Sequence, residues 1–267
     1  MCGTRLYQLP LKFSEYKAFK LSALFKYFWC ILLSSQRNTQ PGQVKVCDAD
    51  STLELIKTRR SIRKYKETPV PDDYTVKILE AGRWAPSGED AQPWRFIVIK
   101  DRKKIETLGK LAGAGSARRF RAEFLTRKLF DRLPIPDEEK RKRVYRKLIT
   151  GEVSLFMKDA PLLIVVAGRR DCWDAVYDVS AAIQNMLLQV HAMGLGACWL
   201  VAPVIDVRDE MKVKELLKIP EEYTVDAILA VGYPAESPKP RPRLPLSEIV
   251  FYEEFGEKWP ILLEKTS

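Results

Sequence analysis

Two basic clusters and one polar loop hold the side chains of this chain best suited to chemistry. The first cluster is Arg59-Arg60-Ser61-Ile62-Arg63-Lys64-Tyr65, in which Arg59, Ser61 and Arg63 alternate. In an extended segment alternate side chains share a face, so these three can converge on one anion or on the polar edge of a ring. The second cluster is Arg241 and Arg243, bracketed by Pro240, Pro242 and Pro245. Proline holds the backbone extended, which puts this pair on one face as well. A guanidinium fork suits phosphate bidentately. Between the clusters, Pro86-Ser87-Gly88-Glu89-Asp90-Ala91-Gln92-Pro93-Trp94 offers donors and acceptors and feeds the apolar run Phe96 to Ile99. Either cluster alone reads as a surface charge run; with the loop they read as charge for a phosphate and an amide reader for a polar ring edge.

The remaining residues exclude several chemistries. Gly113-Ala114-Gly115-Ser116 lacks a third glycine and follows a helical pattern, so it fails as a dinucleotide fingerprint. No phosphate-loop lysine and no G-x-S-x-G elbow is present. Asp72-Asp73 and Glu253-Glu254 read as helix-start or surface acids. The single histidine, His191, lies in a helical run and is expected to be structural. Five cysteines form no C-x-x-C pair, which disfavours a disulfide framework and fits a reducing, cytoplasmic setting. Nothing builds an activated nucleophile or a metal site. A polar site without acid–base machinery calls for a bound organic cofactor to perform the reaction.

The elements that must position these groups follow from periodicity. Ser51 to Lys57 predicts a helix with Ser51 as N-cap and Glu54 at the capping-box position. Asp72 to Ala81 predicts a second helix with Ile78 and Leu79 inward. Asp101 to Leu111 predicts a third, capped by Asp101. Residues 112–150 read as a glycine-then-charged helical insertion, broken at Leu133-Pro134-Ile135-Pro136. Trp173 to Met193 is the longest helical pattern and is apolar nearly all round, Val176 included, as a central core helix is. Val207 to Leu217 completes the helices. Strands are expected at Phe96–Ile99, Leu162–Ala167, Ala197–Val201 and Val225–Val231. The sum is an α+β domain, a sheet flanked by helices with a long central helix. Trp84, Trp94 and Trp199 are candidates to line the site, with core packing expected for at least two.

The 267 residues carry a net charge of +10, unevenly spread. Residues 117–147 hold twelve basic and five acidic side chains, whereas residues 148–267 are net acidic. The basic block mixes signs at helical spacing, which reads as a solvated helix face rather than a nucleic-acid footprint. Residues 1–48 differ from the rest: three lysines, then the apolar Leu21 to Leu33 interrupted by Lys26. Three readings stay open there: a tail packing on the body or on a membrane surface, a cleaved or anchoring leader, or an upstream extension outside the functional protein. The clean start of the folded pattern at Ser51 favours the first and third, and the functional domain is read as 49–267.

Four segments resemble, in order, the FMN-dependent nitroreductase superfamily: RRSIRKY, APSGEDAQPWRFIVIKD, DVSAAIQNMLLQVHAMGLGACWLVAP and AILAVGYPAESPKPRPRLPLSEIVF. The resemblance spans about residues 51–255. It implies a domain-swapped homodimer with FMN at the interface. It also implies cofactor-binding roles for Arg59, Arg60, Ser61 and Arg63, with Arg59 and Arg63 meeting phosphate or the pyrimidine side of the ring. Pro86, Ser87 and Gly88 match a loop against the isoalloxazine, supplied by the other subunit, with Gln92 beyond. Val201 and Ala202 match backbone contacts near the reactive edge, and Arg241 and Arg243 match a phosphate-binding pair. Asp90 stands where many members have Asn. A carboxylate accepts but does not donate when ionised, so Asp90 is expected to lower the flavin potential.

The implied activity is transfer of hydride from NAD(P)H through flavin N5 to a nitroaromatic, quinone or similar acceptor in ping-pong order. Arg63 is the candidate to stabilise charge at N1/O2. The insertion at 112–150 is expected to shape acceptor choice. Two alternatives lie within the family: a reductive dehalogenase of the iodotyrosine deiodinase-like branch and a flavin-fragmenting enzyme. One lies outside it, a basic interaction module without flavin. Partners are expected to be a second copy of the chain and a small-molecule acceptor. Nucleic acid is not expected, and membrane contact is confined to the N-terminal extension.

Overall fold

The computed structural model describes residues 48–128 and 130–263. Expectations for residues 1–47 fall outside the described residues. The chain from Ala49 onward is one compact unit. Helices α1 (Ala49–Thr58) and α2 (Asp72–Arg83) lead to a short 3-10 turn at Gly88–Asp90 and strand β1 (Trp94–Ile99). Then come α3 (Arg102–Arg127), α4 (Glu138–Thr150) and the one-turn α5 (Glu152–Leu155). Strand β2 (Leu162–Arg169), α6 (Ala175–Ala192), β3 (Gly196–Leu200), α7 (Val207–Leu217) and β4 (Tyr223–Gly232) complete the body. Short helices α8 (Leu246–Ile249) and α9 (Pro260–Leu263) follow.

The sheet has the order β1-β2-β4-β3, and its named strand pairs are antiparallel. The run Leu162 to Gly168 is buried throughout because helices cover both faces of the sheet. Alternation then sorts its side chains. Leu162, Ile164 and Val166 join Ile78 of α2 and Ile183 and Met186 of α6 in one core. Leu163 and Val165 join Ile105 and Leu108 of α3 and Val213 of α7 in the other. Each fully buried Leu or Ile contributes about 1.5–3 kcal/mol, so these two layers dominate the stability.

Several expectations are corrected. Helix α1 starts at Ala49, so Ser51 lies inside it and is not its N-cap. The third helix does not stop at Leu111. It runs 26 residues to Arg127, its glycines inside it, and is capped by Asp101, whose side chain accepts the Lys104 N–H at 2.8 Å. Glycine costs only about 1 kcal/mol in a helix, and here close packing favours it. A Cβ at Gly115 would collide with the Ala202 carbonyl oxygen. Helix α6 buries one broad stripe (Val179, Ala182, Ile183, Met186, Leu187, Val190), but Val176 and Tyr177 are exposed. Of the three tryptophans only Trp94 is core; Trp84 is 72% exposed and Trp199 is 37% exposed.

Candidate functional site

The segment after α1 has no helix of its own and is held between two strands. Ser61 bridges Ala197 of β3 in parallel, and the Ile62 N–H donates to the Ala197 carbonyl at 3.0 Å. Lys66 N–H donates to Tyr233 O, and Ala235 N–H donates to Lys64 O, both at 2.9 Å. Glu236 adds one carboxylate oxygen that accepts the N–H groups of Arg63 at 2.6 Å and Lys64 at 3.1 Å. The buried Tyr65 hydroxyl donates toward the carbonyls of Ile62 (2.6 Å) and Ala230 (3.1 Å). Burial, with Cys198 and Glu236 adding, holds its pKa well above 10.0 against the opposing pull of Arg63. This frame presents the Arg63 side chain outward.

Arg63 enters a cleft of about 270 Å3 together with Trp199, Val201 and Ala202. Its guanidinium lies 5.9 Å from the Phe156 ring centroid, and among the described residues its one hydrogen bond is to Ser61 O at 3.3 Å. Helix α3 also lines the cleft, through Arg119 and Phe120. Helix α3 is seated there because Arg118 pairs with Asp209, which is 1% exposed, and with Asp206 at 3.3 Å. That clamps α3 to the start of α7 and to the turn carrying Val201 and Ala202. Phe124 and Phe130 pack edge-on against Tyr145 at 4.5 and 5.3 Å, which closes α4 onto α3. Buried Cys198 lines the cleft. Burial raises its pKa, with Arg63 and Arg59 pulling the other way, so the thiol is not activated.

Arg59 and Arg60 sit over the end of α6. Arg60 folds back on the carbonyls of Lys57 and Arg59. His191 Nε2 lies 3.0 Å from Thr58 Oγ1, whose own proton serves the Glu54 carbonyl at 2.7 Å; the imidazole therefore donates. Its pKa is lowered by burial first, then by Arg59 and Arg60. His191 is structural in this arrangement and reports on the charge of its neighbours.

The polar loop lies elsewhere. Pro86 to Gln92 precedes β1, at one sheet edge, while Ser61 bridges β3, at the other, and Val201 and Ala202 directly follow it. Four strands at roughly 4.8 Å spacing separate the two edges by about 14 Å of sheet. The Gly88 N–H donates to the buried Asp178 at 3.2 Å, and Ser87 Oγ accepts the Gln92 N–H at 3.1 Å. Gln92 Nε2 donates to Asp90 at 2.9 Å. Glu89, Asp90 and Gln92 all have φ between 44° and 56°, a left-handed conformation that costs non-glycine residues on the order of 1 kcal/mol each. Asp90 and Gln92 open onto their own cavity of about 630 Å3, with Glu80 and Arg83.

Arg241 and Arg243 are exposed on an irregular segment, and Arg243 reaches only the carbonyls of Arg241 and Pro242. Among the described residues no hydrogen bond or ion pair joins them to the 59–63 segment. Nor does any of Arg59, Arg63, Arg241 and Arg243 have a carboxylate partner there, a condition they share with Arg95 and Arg121, whose hydrogen bonds go to backbone carbonyls, whereas Arg83, Arg118, Arg119, Arg169 and Arg208 are paired. An arginine without an acid partner, Arg63, in a cleft lined also by Val201 and Ala202, suits an anionic ligand such as a phosphorylated ring. Sequence reasoning did not find Glu236, Phe156 or Arg119. Glu236 follows a strand in an ordinary loop, Phe156 opens a short 3-10 turn with no periodic signal, and Arg119 sits in a block whose charge pattern matches any solvated helix. Among the described residues no cluster of acidic, His and Cys side chains is placed to hold a metal ion.

An α+β body with one long core helix and an anion-suited cleft at the β3 edge defines the class. The family model described as "Nitroreductase family" matches residues 56–233, and the chain belongs to that family. The match ends before Arg241 and Arg243. A Thermus thermophilus protein named NADH dehydrogenase is 33% identical over 200 residues, 73% of this chain and 92% of that one. A solved FMN-dependent nitroreductase from Clostridium difficile R20291 superposes with TM-score 0.58 at 28% identity, covering 76% of this chain and 99% of its own. A solved iodotyrosine deiodinase bound to FMN and 3-iodo-L-tyrosine gives TM-score 0.61 at 26% identity, with 76% and 100% coverage.

Proposed function

We propose that this protein is an FMN-dependent oxidoreductase that takes reducing equivalents from NAD(P)H and passes them, in ping-pong order, to a nitroaromatic, quinone or similar small acceptor. One observation carries the reading: Arg63 stands without a carboxylate partner in a cleft floored by Val201 and Ala202. Bound FMN would supply two-electron transfer between nicotinamide and acceptor. Arg59, Arg60 and Ser61, with Arg241 and Arg243, would hold its phosphate side. Arg63 would offset negative charge at the N1/O2 edge. Trp199 and Phe120 would keep water from the ring.

The working form in this reading is a homodimer. The loop of Pro86, Ser87, Gly88, Asp90 and Gln92 lies across the sheet from Arg63, so one copy's loop would complete the other copy's cleft, twice by two-fold symmetry. Exposed apolar side chains support this: Leu53 and Ile56 on α1, Trp84 after α2, and Leu246, Ile249 and Phe255 on the C-terminal arm. A cytoplasmic location belongs to the same reading and is supported by the free thiols Cys172 and Cys198. Among the described residues no helix is long and apolar enough to cross a membrane.

The test is anaerobic. Purified protein is loaded with FMN, reduced with NADH or NADPH, sized by light scattering, and offered a nitroarene, a quinone or a halotyrosine. Yellow dimer, bleached by NADH or NADPH and recoloured by the nitroarene or quinone, supports the proposal. Protein that stays colourless with added FMN overturns it. Reductive dehalogenation is the second reading, favoured by the likeness to the deiodinase structure; recolouring by halotyrosine alone would select it.

A further inference from the structure

Ser116, Arg119 and Phe120 occupy positions i, i+3 and i+4 of α3 and all face the Arg63 cleft. Ser116 is buried, and its hydroxyl is taken up by Ser154 at 2.5 Å. Phe120 is apolar. Arg119 is therefore the only charge that α3 presents to the cleft. Its Nε pairs with Glu123 at 2.8 Å, but this is an exposed i,i+4 pair of the kind that yields readily to a better-placed anion. Among the described residues no partner engages its terminal nitrogens, which leaves a guanidinium edge for a carboxylate. The cleft lining includes no carboxylate, while three aromatic rings (Phe120, Phe156, Trp199) flank it.

We propose that Arg119 selects the acceptor by charge, and that the preferred acceptor class is an anionic arene, a ring bearing a carboxylate or sulfonate. The proposal rests on the oxidoreductase reading, in which Arg63 serves the cofactor and leaves Arg119 to the acceptor. Arg119 lines the same cleft as Arg63 from a different element, so it can meet a ring's anionic substituent while the rest of the ring lies among the aromatic side chains. The basic excess of residues 117–147 adds a positive field at the cleft mouth.

Two ligands of equal shape separate charge from packing. Benzoate and benzamide are titrated by calorimetry into the protein, as purified and after FMN loading, for wild type, Arg119→Gln and Arg119→Lys. Wild type is expected to bind benzoate about tenfold more tightly than benzamide. R119Q should bring the ratio close to one, and R119K should restore part of it. With reduced enzyme, the kcat/KM ratio of 4-nitrobenzoate to 4-nitrobenzamide should fall in parallel. Each ratio is taken within one variant, so a folding defect cannot imitate the result. A wild-type ratio near one, a ratio that R119Q leaves in place, or no detectable binding of either ligand overturns the proposal. Flavin uptake is scored separately and reports only on the oxidoreductase reading.

Discussion

One carboxylate oxygen of Glu236 accepts the backbone N–H of Arg63 at 2.6 Å, tying the first cationic segment to the chain leaving β4. The same oxygen takes Lys64 N–H at 3.1 Å. Hydrogen bonds to a charged acceptor contribute about 1.5–3 kcal/mol. Glu236→Ala should therefore lower stability by about 2 kcal/mol and weaken FMN binding about tenfold, because Arg63 loses its fixed backbone. Thermal melts and flavin titration check both. Unchanged flavin affinity would show that this tie does not position the site.

His191 is the only histidine of the chain, so its ring protons can be followed by NMR without assignment. Its folded pKa lies below the ordinary 6.5, through burial and then Arg59 and Arg60. The stability that neutral His191 contributes is thus complete above pH 6.5 and is lost as pH falls through the folded value. FMN phosphate at Arg59 and Arg60 would offset their charge and move the His191 pKa upward. A titration curve that FMN leaves in place would argue against phosphate at this end of the site.

Asp226 sits at the register shift where β2 pairs with β4. Its Oδ1 lies 3.1 Å from the Thr224 hydroxyl, and its Oδ2 is buried without a partner. Burial raises its pKa from 3.8 to about 6, with Glu210 adding and Thr224 opposing. Because the folded pKa is raised, ionisation destabilises the fold: the penalty is absent below 3.8, grows to about 6 and is complete above. Asp226→Asn should stabilise on the order of 1–2 kcal/mol at pH 7.5 and much less at pH 4. Equal melting shifts at the two pH values would contradict this.

Gly115 lets α3 touch the Ala202 carbonyl, at the floor of the cleft. Gly115→Ala must push α3 away and is expected to cost about 2–3 kcal/mol, as overpacking does. Flavin affinity should fall with it, since Val201 and Ala202 move. A variant with wild-type melting temperature would mean that the helix and the turn yield freely.

Asp90 accepts from Gln92 in a loop of left-handed residues. Asp90→Asn removes a negative charge and adds donors while keeping the shape. The midpoint potential of bound flavin should rise in the variant. Identical potentiometric midpoints would remove Asp90 from the electron-transfer site.

Local rules read most of the fold. The unbroken apolar run Leu162–Ala167 and the stripe Val179 to Val190 identified a buried strand and a core helix, because a strand covered on both faces is apolar throughout and a helix buried on one face leaves a period in the sequence. Arg63, Val201 and Ala202 were legible as site candidates through family motifs, and tertiary structure brings them into one cleft. What only the tertiary structure decided is long-range. The polar loop and Arg63 lie at opposite sheet edges because strand order, not sequence order, sets position. The glycines at 113 and 115 are helix-packing residues rather than a break, since close approach by Gly151 and Ala202 leaves no periodic trace. Arg119 looked like any solvated charge until its helix was placed against the cleft.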